Sequence, residues 1–233
     1  QILRQHQQVC ILARLDRANR IKDAAIVVGS KTYCLNANDG NNSLHSGPNG
    51  YERRMWNVVR HDDSSICFVL HSPHLDQGFP GNADIQVTYQ LTGDSLVISY
   101  EAVSDQDTVF NMTNHSYFNL AGHEKTDRAM EQILSMPARF FTVCDAASIP
   151  TGENRDVSGT PMDFRTPKEV GRDIGMDYPA LNFGRGYDHN WCLNNKGQFA
   201  KVAEMSSRTS GITMEVYTNL PGVHIYSGNY LRD

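Results

Sequence analysis

"ADIQVTYQLTGDSLVISYEAV", residues 83–103, alternates apolar and polar side chains on both sides of a short break. Ile85, Val87 and Tyr89 recur every second residue before the break, and Leu96, Ile98 and Tyr100 do so after it. Successive side chains of a strand point to opposite faces, so a period of two gives one buried face and one wet face, whereas a helix needs apolar residues three and four apart. "LTGD" supplies the reversal. Gly93-Asp94 forms the tight turn, because glycine accepts the positive φ that a short hairpin asks for. The stretch therefore predicts an antiparallel hairpin.

The same signature extends outward. "SICFVLHS" (65–72), "RFFTV" (139–143), "HNWCL" (189–193), "FAKVAEM" (199–205) and "ITMEVYTN" (212–219) are rich in β-branched and aromatic residues, the composition of strands. Between them run loops dense in Gly, Pro and Asn: "NANDGNNSLHSGPNG" (36–50), "HSPHLDQGFPGN" (71–82) and "SIPTGENRDVSGTP" (148–161). Only "TPKEVGRDIG" (166–175) reads as a short helix, with Thr166 as its cap and Pro167 at its first position. No repeat, low-complexity tract or linker interrupts the chain. Residues 1–233 are expected to form one all-β domain, a sandwich or an open barrel, with polar loops gathered at one end.

Charge and composition exclude several functions. A formal net charge of −5 with scattered basic residues leaves no surface to neutralise phosphates, so no nucleic-acid partner is expected. No stretch approaches the roughly 20 apolar residues of a membrane helix, and "QILRQHQQVC" lacks a signal-peptide core, so no membrane partner is expected either. Cys10, Cys34, Cys67, Cys144 and Cys192 are odd in number, far apart and free of CxxC spacing. That usage fits a reducing compartment, and a cytoplasmic location is expected. The chain begins without Met and stops at "HIYSGNYLRD", just after an alternating run, which reads as a segment of something longer.

Four clusters hold the polar groups suited to chemistry: "RANR" (17–20), "NNSLHSGPNG" (41–50), "TNHSYFN" (113–119) and "GYDHN" (186–190). They contain Arg20, His45, His115 and Asp188. Each residue has an ordinary alternative. His115 precedes Tyr117 and Phe118 and reads equally as a core histidine satisfied by its neighbours; Asp188 beside His189 reads as a strand-edge ion pair or cap; Arg20 reads as a surface cation. His45 lies in a Gly/Asn/Ser loop where a histidine has no packing task. A metal site would draw on His71, His74 and Asp76 with His189, but Pro73 interrupts the run and no second regularly spaced pair exists, so no metal is expected. There is no GxSxG elbow, phosphate loop or dinucleotide cradle. A glycosidase needs two flanking carboxylates, and only Asp188 stands out. What remains is proton transfer without metal, cofactor or nucleophile, by histidine near neutral pH, on a hydroxyl-rich ligand such as a sugar.

The clusters, taken in order, resemble the aldose 1-epimerase (galactose mutarotase) family. The matching phrases include "ANRIKDA" (18–24), "NSLHSGPNGYERRMW" (42–56), "TNHSYFNLAG" (113–122), "GYDHNWCL" (186–193) and "EVYTNLPGVHIYSGNYL" (215–231). The resemblance implies a large antiparallel β-sandwich of the supersandwich type, with an open sugar cleft, that interconverts the α and β anomers of free aldoses such as galactose or glucose. It implies that His115 is the general acid at the ring oxygen and that His45 stabilises charge beside it. Arg20 and Asp188 would orient sugar hydroxyls, with Asn19 next to the arginine, and a glutamate near the family's C-terminus would be the base.

The chain also departs from that pattern. The match starts almost at Gln1 and ends at Asp233, so the family's first strands and its C-terminal glutamate have no counterpart. Glu153, Glu204 and Glu215 lie in phrases that match other parts. His74-Leu75 stands where relatives read Asp-Gly, and His224 stands where a glutamine often contacts the sugar. "ILARLDRANR" (11–20) is more charged than the glycine-containing stretch expected there. Two outcomes are expected: an ordinary mutarotase if these residues belong to a longer polypeptide, or, if they do not, a truncated, non-catalytic carbohydrate-binding domain with unpaired strand edges.

Overall fold

The computed structural model describes residues 10–13, 19–124 and 126–231. Arg17 and Ala18 of the first polar cluster lie outside them, as do residues 1–9 and Asp233. In chain order the first strands are β1 (Cys10–Ala13), β2 (Arg20–Ile21), β3 (Ala25–Val28), β4 (Lys31–Cys34), β5 (Ser43–Leu44), β6 (Asn57–His61), β7 (Ser65–Ser72), β8 (Ala83–Thr92) and β9 (Ser95–Ser104). There follow β10 (Ile133–Ser135), β11 (Phe140–Cys144), β12 (Pro150–Asp156), β13 (Lys168–Glu169), helix α1 (Pro179–Gly184), β14 (Asp188–Cys192), β15 (Ala200–Ser206), β16 (Thr213–Thr218) and β17 (Gly222–Tyr226). The chain divides at Arg14–Leu15 and at Thr113–Asn114 into two compact units.

In the unit up to Thr113, β6-β7-β8-β9 form an antiparallel sheet, beside two ribbons, β2–β5 and β3–β4. The hairpin that opened the sequence reading pairs without interruption from Ala83↔Ser104 to Thr92↔Ser95. Gly93 turns it at φ 61. Its register sets Ile85 opposite Leu70 of β7, and these two join Tyr51 and Met112 in one apolar cluster, flanked by Trp56, Tyr100 and Phe110. Leu75, in the loop after β7, has φ 62 and ψ 18 and is half exposed. A left-handed leucine costs about 1–2 kcal/mol, of which glycine's greater freedom in the unfolded chain gives back about 0.4–1 kcal/mol. Leu75→Gly is therefore expected to raise stability by up to about 1 kcal/mol, read as a higher urea midpoint; a lower midpoint would refute the strain argument.

In the other unit, which joins β1 to the residues from Asn114 onward, a five-stranded sheet, β1-β17-β14-β11-β12, and a four-stranded sheet, β13-β10-β15-β16, share one core. Phe141, Trp191, Val223 and Ile225 enter it from the first sheet and Leu134 and Met205 from the second. Interdigitation of two inner faces is sandwich packing. No helix among the described residues is long and apolar enough to cross a membrane.

Two expectations from sequence are overturned. Residues 166–175 are not a helix: Lys168 and Glu169 pair with Leu134 and Ile133 as β13, and Val170 is buried. The Lys168 ammonium is buried too, donating to the Pro161 carbonyl at 2.6 Å and to Asp173 Oδ2 at 2.7 Å. A threonine cap offers about 1 kcal/mol, which the full burial of Val170, about 1.5–3 kcal/mol, and the strand pairing outweigh. The six-residue helix lies instead at Pro179–Gly184. The stretch 148–161 is not all loop, because Pro150–Asp156 pairs with β11 as an edge strand. Most of β12 is exposed, so it carries no apolar alternation to read, and a proline is tolerated as its first residue.

Candidate active site

β2 and β5 are two residues long each, paired as Arg20↔Leu44 and Ile21↔Ser43. Asn19 immediately precedes one and His45 follows the other, so antiparallel pairing sets them side by side. They clasp through both backbones: the His45 N–H donates to the Asn19 carbonyl at 3.3 Å, and the Asn19 N–H donates to His45 Nδ1 at 3.4 Å. An accepting Nδ1 leaves the proton of the neutral ring on Nε2. Both residues are left-handed, Asn19 at φ 66 and His45 at φ 49. Asparagine and histidine are among the residues that adopt this conformation more often than others, and left-handed backbone away from glycine gathers at functional sites.

Arg20 donates from its N–H to Asn19 Oδ1 at 2.9 Å and from Nε to Asp39 Oδ2 at 2.6 Å, with its side chain only 17% exposed. Asp39 was not legible in sequence. It lies in an Asn/Asp/Gly run where such a residue reads as turn chemistry. Its neighbour Asn38 bonds both backbone groups of Leu44, at 2.7 and 2.9 Å, and so steadies the residue before His45. Asn19, Arg20 and His45 are thus brought together, with Asp39 as an unforeseen fourth member.

The second cluster lies on β14 and β17, paired as Asp188↔Tyr226 and Asn190↔His224. Alternation puts Asp188, Asn190, His224 and Tyr226 on one face, and His189, Trp191, Val223 and Ile225 on the core face. Asp188 Oδ1 and His224 Nε2 are 2.7 Å apart, both side chains being largely buried. The carboxylate can only accept, so Nε2 carries a proton. Gly186, at φ 132, begins this segment, and a Cβ there would lie 2.5 Å from Asn229 Oδ1. Asn229 in turn donates to the Gly184 and Tyr187 carbonyls at 2.8 and 2.9 Å.

His115 reaches the same edge of this unit through aromatic contacts. Its ring centroid is 5.3 Å from that of Tyr117, which is 6.0 Å from that of Tyr226, the strand partner of Asp188. His115 is exposed, not a satisfied core histidine. Residues 113–117 have no regular structure. Asn114 Oδ1 accepts the Ser116 N–H at 3.1 Å, an Asx turn that takes the chain out of an extended ladder. Below it Tyr117 packs on Tyr226 and Phe118 on the main core, anchoring the segment.

His189 serves the core instead. Its Nδ1 accepts the Asp188 N–H at 3.0 Å, and its side chain is buried against Phe141 and Trp191. Burial lowers its pKa to about 4; the nearby His224 adds to the shift, while Asp188 and the Ala180 backbone oppose it. The unfolded imidazole titrates near 6.5. Below that value the unfolded chain binds a proton that the folded chain refuses until about pH 4, so this contribution is complete above 6.5 and lost as pH falls. The slope is about 1.4 kcal/mol per pH unit, up to about 3 kcal/mol across the window. Urea midpoints at pH 7 and pH 4.5 are expected to differ less in His189→Gln than in the parent; equal differences would reject the assignment.

The histidines of 71–76 do not converge. His71 Nδ1 lies 2.9 Å from Asp84 Oδ1, His74 Nδ1 accepts the Gly81 N–H at 3.0 Å, and Asp76 is bound by Arg54. Among the described residues no three His, Cys, Asp or Glu side chains form a metal cluster.

Antiparallel sheets sharing one core, as in the solved structures similar to it, make this an all-β protein of the galactose mutarotase-like fold class. A family model described as aldose 1-epimerase matches residues 8–233. An aldose 1-epimerase from Haemophilus influenzae is 38% identical over 216 residues, covering 92% of this chain and 62% of that protein. A galactose mutarotase from Sus scrofa is 38% identical over 214 residues, covering 92% of this chain and 60% of that protein. The crystal structure of an aldose epimerase homologue from C. elegans superposes with a TM-score of 0.81 at 30% identity, covering 94% of this chain and 65% of that one. The chain belongs to the aldose 1-epimerase family. It spans less than two thirds of the length of these curated relatives.

Proposed function

We propose that the chain takes part in aldose 1-epimerase catalysis, interconverting the α and β anomers of a free aldohexose such as galactose or glucose, in the cytoplasm and with its residues acting as one mutarotase-like domain. The observation that carries this reading is the exposed His115 ring, seated on Tyr117 at the same edge of its unit as the Asp188–His224 pair.

Opening a hemiacetal requires a proton to reach O5 while another leaves O1. His115 delivers the first as general acid, and a carboxylate removes the second; the family pattern puts that carboxylate in its C-terminal motif. Each transfer is worth about 10²–10⁴-fold. Rotation about C1–C2 then presents the other face of the aldehyde, and closure reverses both transfers. His45, which presents Nε2–H, supports the charge developing near O5. Asn19, Arg20, Asp188 and His224 supply amide, guanidinium, carboxylate and imidazole partners for hydroxyls, a donor–acceptor mixture suited to a neutral polyol.

Polarimetry on freshly dissolved α-D-galactose tests the reading. Equilibration faster than the spontaneous rate, in proportion to protein, is the expected result. An unchanged rate overturns the catalytic reading; galactose-induced NMR shifts in that sample would then leave a carbohydrate-binding domain.

A further inference from the structure

The loop that carries His45 leaves β5 through three successive left-handed residues, His45 at φ 49, Ser46 at φ 65 and Gly47 at φ 95. Positive φ is uncommon at any residue but glycine, and consecutive residues rarely share it, so contacts further along hold this turn. Two groups do so. Arg54 forks onto Asp76, with Nη1 to Oδ2 at 2.5 Å and Nη2 to Oδ1 at 2.8 Å, and the side chains are only 14% and 10% exposed. The same guanidinium donates to the Asn49 carbonyl from Nε at 3.1 Å and from Nη2 at 2.5 Å. Ser72 Oγ donates to Asp76 Oδ2 at 2.7 Å. Burial would raise the Asp76 carboxyl, but the Arg54 fork and the Ser72 hydroxyl hold it below the usual carboxylate range, so the pair stays ionised.

Gln77 is the second hub. Its Oε1 accepts the Asn49 N–H at 3.2 Å and Asn36 Nδ2 at 3.4 Å. Asn49 is therefore held at both its N–H and its carbonyl. The chain on both sides of Asn49 packs closely: a Cβ on Gly50 would lie 2.2 Å from Glu52 Oε2 and 2.7 Å from the His45 carbonyl, and one on Gly47 would lie 2.9 Å from Gln77 Oε1. The close approach of Gly50 to the His45 carbonyl links Asn49 to His45.

We propose that Arg54, through its fork with Asp76 and with Gln77 as second support, is a positioning residue that holds the His45 imidazole in its working orientation. A fork is needed rather than a charge, since lysine offers a point donor without planar geometry. Misplacement by about 1 Å lowers turnover by about 10²-fold, so Arg54→Lys is expected to lower kcat/KM for anomer exchange by about 10- to 100-fold, mostly in kcat. In a His45→Asn background the same change is expected to cost less than about twofold, because coupled residues are not additive. Equal losses in both backgrounds would overturn the proposal.

Gln77→Asn provides a second variant that keeps the ion pair and suits the left-handed Gln77 backbone at φ 50, while its shorter amide no longer reaches Asn49. It is expected to show the same dependence on His45 with a smaller loss. The kinetic arm rests on the mutarotase reading. A second arm does not: in both variants the His45 Cε1–H NMR signal is expected to move while that of His115 stays. An unmoved His45 signal rejects the positioning role. A parent protein that leaves anomer exchange at its spontaneous rate rejects only the mutarotase reading, and the NMR arm then decides the proposal.

Discussion

His115→Asn is expected to lower the catalysed rate of anomer exchange by about 10²–10⁴-fold, the usual worth of one general acid. Asparagine keeps a hydrogen-bonding side chain of similar reach but cannot give up a proton at neutral pH. The loss should fall on kcat with little change in KM, since an interaction used only in the transition state is removed. Folding should be spared. His115 is exposed and its segment is held by Tyr117 on Tyr226 and by Phe118 in the core, contacts the substitution leaves alone. Saturation-transfer NMR between the α and β anomeric protons measures the rate, and near-UV circular dichroism checks the fold. A variant within about twofold of the parent would remove His115 from the acid role.

Asp173→Ala is expected to destabilise the protein by about 3–5 kcal/mol, because it strands a buried cation. The Lys168 side chain is 1% exposed, its ammonium lies 4.3 Å from the Phe164 ring centroid, and Asp173 supplies the countercharge. Burial already lowers the Lys168 pKa in spite of Asp173; without the aspartate the Pro161 carbonyl, the ring and the weaker field of Asp163 remain. Lys168→Met combined with Asp173→Ala is expected to recover most of the loss, since an apolar side chain of similar volume carries no desolvation penalty. Urea unfolding followed by the fluorescence of Trp191, fully buried in this core, gives the energies. If the double variant is no more stable than Asp173→Ala, the stranded charge is not the cause.

The failed helix at 166–175 and this ion pair are the same fact. Thr166 and Pro167 are true local helix signals, but the sequence near them does not say that Lys168 will find Asp173, Pro161 and the β10 backbone. The candidate site divides in a similar way. His45 stood out in a loop where a histidine has no packing task, while Arg20, His115 and Asp188 each read equally as ordinary structural residues until the family resemblance joined them. Their supports did not stand out: Asp39 lies 19 residues from Arg20, and Asp76 lies 22 residues from Arg54, each in a polar loop of ordinary composition.

The sequence by itself determined the period-two strands and the Gly93 hairpin, and it singled out Arg20, His45, His115 and Asp188 as polar side chains whose roles came only from the family resemblance. These depend on alternation and residue chemistry, both local properties of the chain. Only the tertiary structure decided that His189 is a core residue while Asp188 pairs with His224, that residues 113–117 leave the strand ladder, that Lys168 enters a strand, and that Arg54 clamps the His45 loop. Apart from the local Asx turn at Asn114, those outcomes are set by burial and by partners distant in sequence, which a single sequence does not display.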